Sequence, residues 1–339
     1  MDGSSAQVAA IGTRISARPM AHRRWRAGLQ GPELIWALAF LAPYIVTFLL
    51  FVVYPIIYGL WMGSQPALYA QLFSDPIYQE TVVNTLIYVL VAVNVRMVMA
   101  LGLSGFFMRK RWWVKPLMLI FILPWAVPAL PTFLSIHWML NGDWGLVDNL
   151  IYALFHFNAP SWLDHRWLAL GADIVAYMWK WLPFWTIILL AGRMAIPQEL
   201  FEAAAVDGAS TWHRFREITF PLLANLYLVC TLLGILFTLG DFTTVYFVSG
   251  GGPANSTQVL ATLGIRDAFV MSQPRLGVAA VLTAVPVLVP MVIWLMRRVR
   301  ATAVERCAPP HSVRHARSRI TGCAASPSRP PRWCSPLSS

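Results

Sequence analysis

Residues 197–221 read PQELFEAAAVDGASTWHRFREITFP, a polar stretch between two strongly apolar runs. Its pattern is that of ordered helix and not of loop. Pro197 stands where a first helical residue tolerates a missing N–H, and Glu199 and Glu202 put negative charge near that N-terminus. Ala203, Ala204 and Ala205 favour helix, and Gly208 is a natural stop. Ser210 is placed to cap a second short helix carrying His213, Arg214 and Arg216, before Pro221 opens the next apolar run. Two short helices meeting at a glycine make an exposed docking element. Its alanines leave a small, flat face that another protein can approach closely.

Outward from that stretch the chain is mostly apolar. Of 339 residues 58% are hydrophobic and only 12% charged, more apolar surface than a soluble domain can hide. This predicts an all-α polytopic membrane protein with spans near 34–62, 81–108, 114–140, 168–196, 222–248 and 276–296. Pro116, Pro124, Pro128 and Pro131 interrupt the third span, where kinks are expected. The first apolar run is too long for a signal-peptide core and lacks a small-residue cleavage site, so it reads as an uncleaved span.

The net charge of +11 is not a nucleic-acid signature, because Lys and Arg cluster beside the spans and in the tail. One side of a six-span topology collects fifteen basic residues: Arg14, Arg18, Arg23, Arg24, Arg26, Arg109, Lys110, Arg111, Lys115, Arg193, Arg214, Arg216, Arg297, Arg298 and Arg300. The other side collects three, Arg166, Arg266 and Arg275. That asymmetry predicts a multi-pass protein of the cell membrane with both termini and the 197–221 loop in the cytoplasm. The four cysteines show no metal-ligand spacing, and no metal or nucleic-acid site is expected.

Glu202-Ala203-Ala204, then three residues ending in Asp207, then Gly208, then nine residues to Ile218 and on to Pro221, resembles the EAA loop of bacterial ABC-importer permeases. Phe220 stands where that family usually has Leu. Asp241-Phe-Thr-Thr-Val-Tyr246, the glycine-rich 249–257 segment, the Trp-containing 141–164 segment, and Trp179 with Pro183-Phe184 are similar to the sugar-type members. The resemblance implies a six-helix permease of the type I importer architecture. It also implies that Glu202, Ala203, Ala204, Asp207, Gly208, Ile218 and Pro221 form the coupling element for an ATP-hydrolysing subunit. The implied partners are a second permease, two such ATPase subunits and an external substrate-binding protein. This chain itself then binds no cofactor and is not an enzyme, ATP lying on the partner subunits. The sequence contains no Gly-Lys pair, so the 249–257 glycines are not a phosphate-binding loop of the P-loop type.

The organisation expected is a cytoplasmic arm (1–32), a permease domain (33–300) containing the coupling loop, and a disordered tail (301–339) rich in Pro, Ser and Arg. Two further departures stand out. Residues 63–80 are a short external segment for the family, and Arg96 falls inside the second span. Arg96 is 13 residues before Arg109, roughly 20 Å along a helix and too far to snorkel easily.

Arg96, Asp173, Lys180 and Asp241 are charges placed within predicted spans, where charge is costly and often functional. Ion pairs that merely hold the bundle, such as Asp241 with Arg96 or Lys180, are the competing reading. Asp241 lies close to Phe242 and Tyr246, and a carboxylate beside aromatic faces suits a polyhydroxylated ligand. Trp179 and Phe184, with Trp181 and Trp185 beside them, offer similar surfaces on the fourth span. The function expected is therefore the permease half of an ATP-driven importer for sugars or oligosaccharides. A permease for polyols, glycerol phosphates or other small solutes is the alternative within the class. A secondary transporter is the alternative outside it, but no internal repeat is visible and the 197–221 loop would have no role there. The short 63–80 segment and the tail also leave an inactive product open.

Overall fold

The computed structural model describes residues 32–307. The expected arm lies outside the described residues except for Pro32, and the expected tail does so beyond Cys307.

The chain divides into two units after Gly59. The first contains α1 (Pro32–Phe48), a π turn (Leu49–Val53) and the start of α2 (Tyr54–Met62). Together they form the first apolar segment, Trp36–Met62, with a mean hydropathy of 2.3.

The second unit begins with the remainder of α2 and continues through α3 (Pro66–Ser74) and α4 (Pro76–Phe107). Asp75 caps α4 by accepting from the Ile77 N–H over 2.9 Å, and Pro76 supplies the pre-set first turn. The second span therefore starts five residues before its expected position at Thr81, because the cap and not the first apolar residue sets the boundary. Next come α5 (Val114–Ala126) and α6 (Ala129–Met139), then α7 (Leu146–Phe155) and α8 (Arg166–Met194). The pair α5–α6 bends by 93° around Val127-Pro128, so the third span is broken, as its prolines predict. Counting that bent pair as one, the described residues contain up to six helical segments fit to cross a membrane.

The core lies between α4 and α8. On α4 the buried side chains recur as Tyr88/Val89, Ala92/Val93, Arg96/Met97, Ala100/Leu101 and Ser104, the stripe of one helical face. Its opposite face is equally apolar: Leu86, Leu90 and Val98 are exposed, as residues facing lipid are. Val93, Met97, Leu182, Trp185, Leu189, Leu223 and Cys230 pack into one cluster. Leu170, Ile174, Tyr177 and Val245 form a second around Tyr88 and Ala92.

After α8 come α9 (Gln198–Val206) and α10 (Thr211–Arg214), a π turn (Phe215–Thr219) and α11 (Phe220–Leu239). The sequence predicts a separate second short helix and a fifth span reaching residue 248. The structure corrects both points. Thr211–Leu239 is one continuous helical segment, and it stops at Gly240. Asp241 and Phe242 then break the chain before α12 (Thr243–Val248), with the Thr244 N–H 3.4 Å from Asp241 Oδ1. A glycine followed by a side chain that binds the next turn ends a helix even inside an apolar run. Beyond it lie α13 (Leu260–Ile265), a π turn (Arg266–Val270), α14 (Pro274–Leu282) and α15 (Val285–Cys307). Helix α15 continues past Arg300, so residues 301–307 are helix and not the start of a disordered tail.

At the Arg166 end of α8 a polar strap holds the glycine-rich segment in place. Arg166 pairs with Glu80 and donates to Asn84 Oδ1 over 2.9 Å. Asn84 Nδ2 in turn donates to the main-chain oxygens of Ser256 (2.7 Å) and Gln258 (3.1 Å).

Candidate functional site

Two places gather the residues singled out from the sequence. The first is the turn from α9 to α10. Gly208 has φ +75°, the left-handed conformation that favours glycine. Its N–H donates to Ala205 O (3.1 Å), and the Ala209 N–H donates to Ala204 O (2.9 Å). Those two bonds are a complete Schellman stop. Ser210 Oγ accepts from the His213 N–H over 3.2 Å, the expected cap. Pro197 is the residue before the first helical position, one place earlier than expected. Glu202 is exposed and accepts from Gln198 Nε2 over 3.0 Å, while Ala203 is exposed and Ala204 half-buried. Ala204, Asp207 and Ile218 line a hollow of about 310 Å³ shared with His213, Arg214 and Glu217. Pro221 sits apart in the first turn of α11. Val206 and Trp212 project into the open at 89% and 69% exposure. The turn thus presents bare alanines and unburied apolar side chains together at the surface.

The second place is the break after α11. A pocket of about 360 Å³ is lined by Tyr177, Trp181, Leu236, Phe237, Gly240 and Asp241. Tyr88 reaches across from α4, its hydroxyl donating to Asp241 Oδ2 over 2.9 Å. The Thr238 hydroxyl donates to Gly234 O (2.7 Å), so Tyr177 donates its own hydroxyl to Thr238 Oγ1, 2.9 Å away. The Tyr88 and Tyr177 rings are 5.4 Å apart. The result is an oriented carboxylate at one edge of an aromatic wall.

Not every expected residue joins that pocket. Phe242 and Tyr246 pair with each other, ring centres 6.1 Å apart, and do not line it. Trp179 lines a separate apolar hollow of about 400 Å³ with Trp162 and Trp167. Two residues from Tyr177 on a helix is a rotation of about 200°, so the two side chains leave α8 on opposite faces. Phe184 stacks on Trp125 at 5.9 Å and meets the pocket only through Trp181, 6.4 Å away. Tyr88 and Tyr177 are not among the residues the sequence singles out. Tyr177 stands four residues before Trp181, a spacing that puts both on one face. Tyr88 carried no such signal, since its partner is 153 residues distant.

The four intramembrane charges do not pair with one another among the described residues. Asp173 Oδ2 lies 2.8 Å from the Ser249 hydroxyl. Lys180 binds the main-chain oxygens of Pro124 and Val127. Arg96 has no hydrogen-bond acceptor among the described residues.

The family model for the inner membrane component of binding-protein-dependent transport systems matches residues 96–302, which include both places except Tyr88. The chain belongs to that family. The permease is 32% identical over 260 residues to the sulfoquinovosyl glycerol transport system permease of Agrobacterium fabrum, covering 70% of this chain and 82% of that protein. It is 30% identical over 272 residues to the lactose transport system permease of Rhizobium radiobacter, covering 76% and 91%. Among solved structures, it is similar to the bacterial alginate ABC transporter crystallised with an alginate pentasaccharide-bound periplasmic protein. That likeness has a TM-score of 0.72 at 22% identity over 80% of this chain and 96% of the other, and it establishes the fold. The permease is thus the membrane subunit of an ABC importer, and the secondary-transporter reading falls away.

Proposed function

We propose that the permease forms half of a translocation path for sugars or oligosaccharides, with Asp241 as a ligand-facing group. The carrying observation is the Asp241 carboxylate at the edge of a pocket walled by Tyr177, Trp181 and Phe237. Sugar hydroxyls donate to a carboxylate while the C–H face of the ring packs on aromatic faces. The sugar-bearing names of the relatives support the same class.

In this reading the other half of the path is a second, related permease, and lipid surrounds both. Both termini and residues 197–221 face the cytoplasm, in keeping with the basic-residue asymmetry. Glu202, Ala203, Ala204, Asp207, Gly208, Ile218 and Pro221 belong to the segment that docks on an ATP-hydrolysing subunit, one of a pair. An external binding protein delivers the ligand. ATP-driven closure of that pair moves the two permeases between outward- and inward-open states. No covalent chemistry falls to this chain.

Uptake of labelled mono- and disaccharides by cells with the assembled importer tests the proposal. Asp241→Asn and Tyr88→Phe should each lower uptake by roughly ten- to a hundredfold, the loss of about one hydrogen bond to a charged group. Subunit amounts in the membrane should hold. Sugar uptake unchanged in Asp241→Asn would remove this residue from the path.

A further inference from the structure

Arg96 is fully buried, and none of its three guanidinium nitrogens has a hydrogen-bond acceptor among the described residues. Lys180 makes the contrast plain. As a cation held for structure, it is bound by two main-chain oxygens. Arg96 instead lies between two aromatic faces, its guanidinium carbon 5.0 Å from the Tyr177 ring centre and 5.4 Å from that of Trp185. Room for it exists because position 234 is glycine: a Cβ there would stand 2.9 Å from Arg96 Nη2.

The guanidinium is next to the Asp241 pocket, one ring away. Tyr177 lines that pocket and also carries Arg96 against its ring. Along α8, Tyr177 and Trp181 line the pocket, and Trp185, one turn farther, borders Arg96. Along α11, Phe237 lines the pocket while Gly234 makes room for the guanidinium. One seam between α8 and α11 therefore holds an oriented carboxylate and, toward Gly234 and Trp185, a cation without a hydrogen-bond acceptor among the described residues.

We propose that Arg96 receives the anionic substituent of an acidic sugar, a carboxylate or sulfonate, as the ligand passes the Asp241 pocket. This rests on that pocket being the sugar site. The planar guanidinium offers two parallel N–H donors to such a group, and an unsatisfied buried charge gains more from an anion than an exposed one does. Asp241 takes hydroxyls and Arg96 takes the acid, so the two charges orient one ligand instead of neutralising each other. Access requires the Tyr177 ring to swing, which breaks its bond to Thr238 and its contacts with Tyr88, Trp181 and the guanidinium.

The test uses the complete importer in nanodiscs, with glucose and glucuronate as matched probes and binding read by saturation-transfer NMR. Wild type should hold glucuronate about tenfold more tightly than glucose. Arg96→Gln should bring glucuronate down to the level of glucose while glucose itself stays within about twofold. Gly234→Ala keeps the arginine but crowds it, and should reduce glucuronate binding selectively. An equal or stronger hold on glucose in wild type overturns the proposal. So does an acid preference that survives in Arg96→Gln, or the joint loss of both sugars from an assembled Arg96→Gln complex. If Arg96→Gln does not assemble, the wild-type ratio and Gly234→Ala decide. Asp241→Asn separates the two readings: loss of glucose binding there upholds the pocket even where the Arg96 assignment fails, and wild type binding neither sugar defeats both.

Discussion

Lys180 Nζ donates to the main-chain oxygen of Pro124 over 2.9 Å and also binds that of Val127. These oxygens belong to the last turn of α5 and the bend beyond it, where the chain turns 93° into α6. A helix end inside a membrane protein has carbonyls that lipid cannot satisfy, and its dipole favours a cation there. Lys180 satisfies carbonyls at the break that the prolines make.

Lys180→Met keeps the length of the side chain and removes the donors. We expect a loss of about 2–3 kcal/mol of stability, the scale of hydrogen bonds to a charged group. It should appear as less permease in the membrane and earlier thermal aggregation in detergent, with Lys180→Arg recovering part of both. Unchanged level and melting in Lys180→Met would show that the bend stands without the ammonium.

Arg193 ties the segment after α10 to the core. Its Nη2 donates to Leu101 O over 2.9 Å, and its guanidinium carbon lies 5.5 Å from the Phe215 ring centre. Phe215 opens the π turn that follows α10, so movement of that segment reaches α4 as well as α11. In Arg193→Ala the ATPase subunits should co-purify normally and hydrolyse ATP at the basal rate. Stimulation by loaded binding protein and uptake should both fall roughly tenfold, within the usual 1–3 kcal/mol of coupling free energies. Full stimulation in this variant would remove Arg193 from the linkage.

Gly208 has φ +75°, a conformation that costs most L side chains about 1–2 kcal/mol. Gly208→Asp should insert normally, since no span is touched, but ATPase subunits should co-purify poorly and uptake should collapse. Glu202→Ala removes one charge from an exposed position and should be the milder of the two. A Gly208→Asp permease that keeps its ATPase at full strength and transports sugar would show that this loop does not couple.

What was legible in the sequence was local. The Schellman stop at Gly208 and the Ser210 cap are made within five residues of chain, so residue type and spacing determine them. The broken third span follows equally from its prolines. The class of protein follows from the apolar runs, because only helices satisfy their own backbone in lipid.

Which residues meet was decided by the tertiary structure. In a membrane helix both faces are apolar, so hydrophobicity does not say which one is buried. Trp179 and Trp181 look equivalent in the sequence, yet only Trp181 reaches the Asp241 pocket. Asp241 has Tyr88 as its partner and not Arg96 or Lys180. That choice depends on how α4, α8 and the end of α11 are packed, across 153 residues of chain that no local pattern spans.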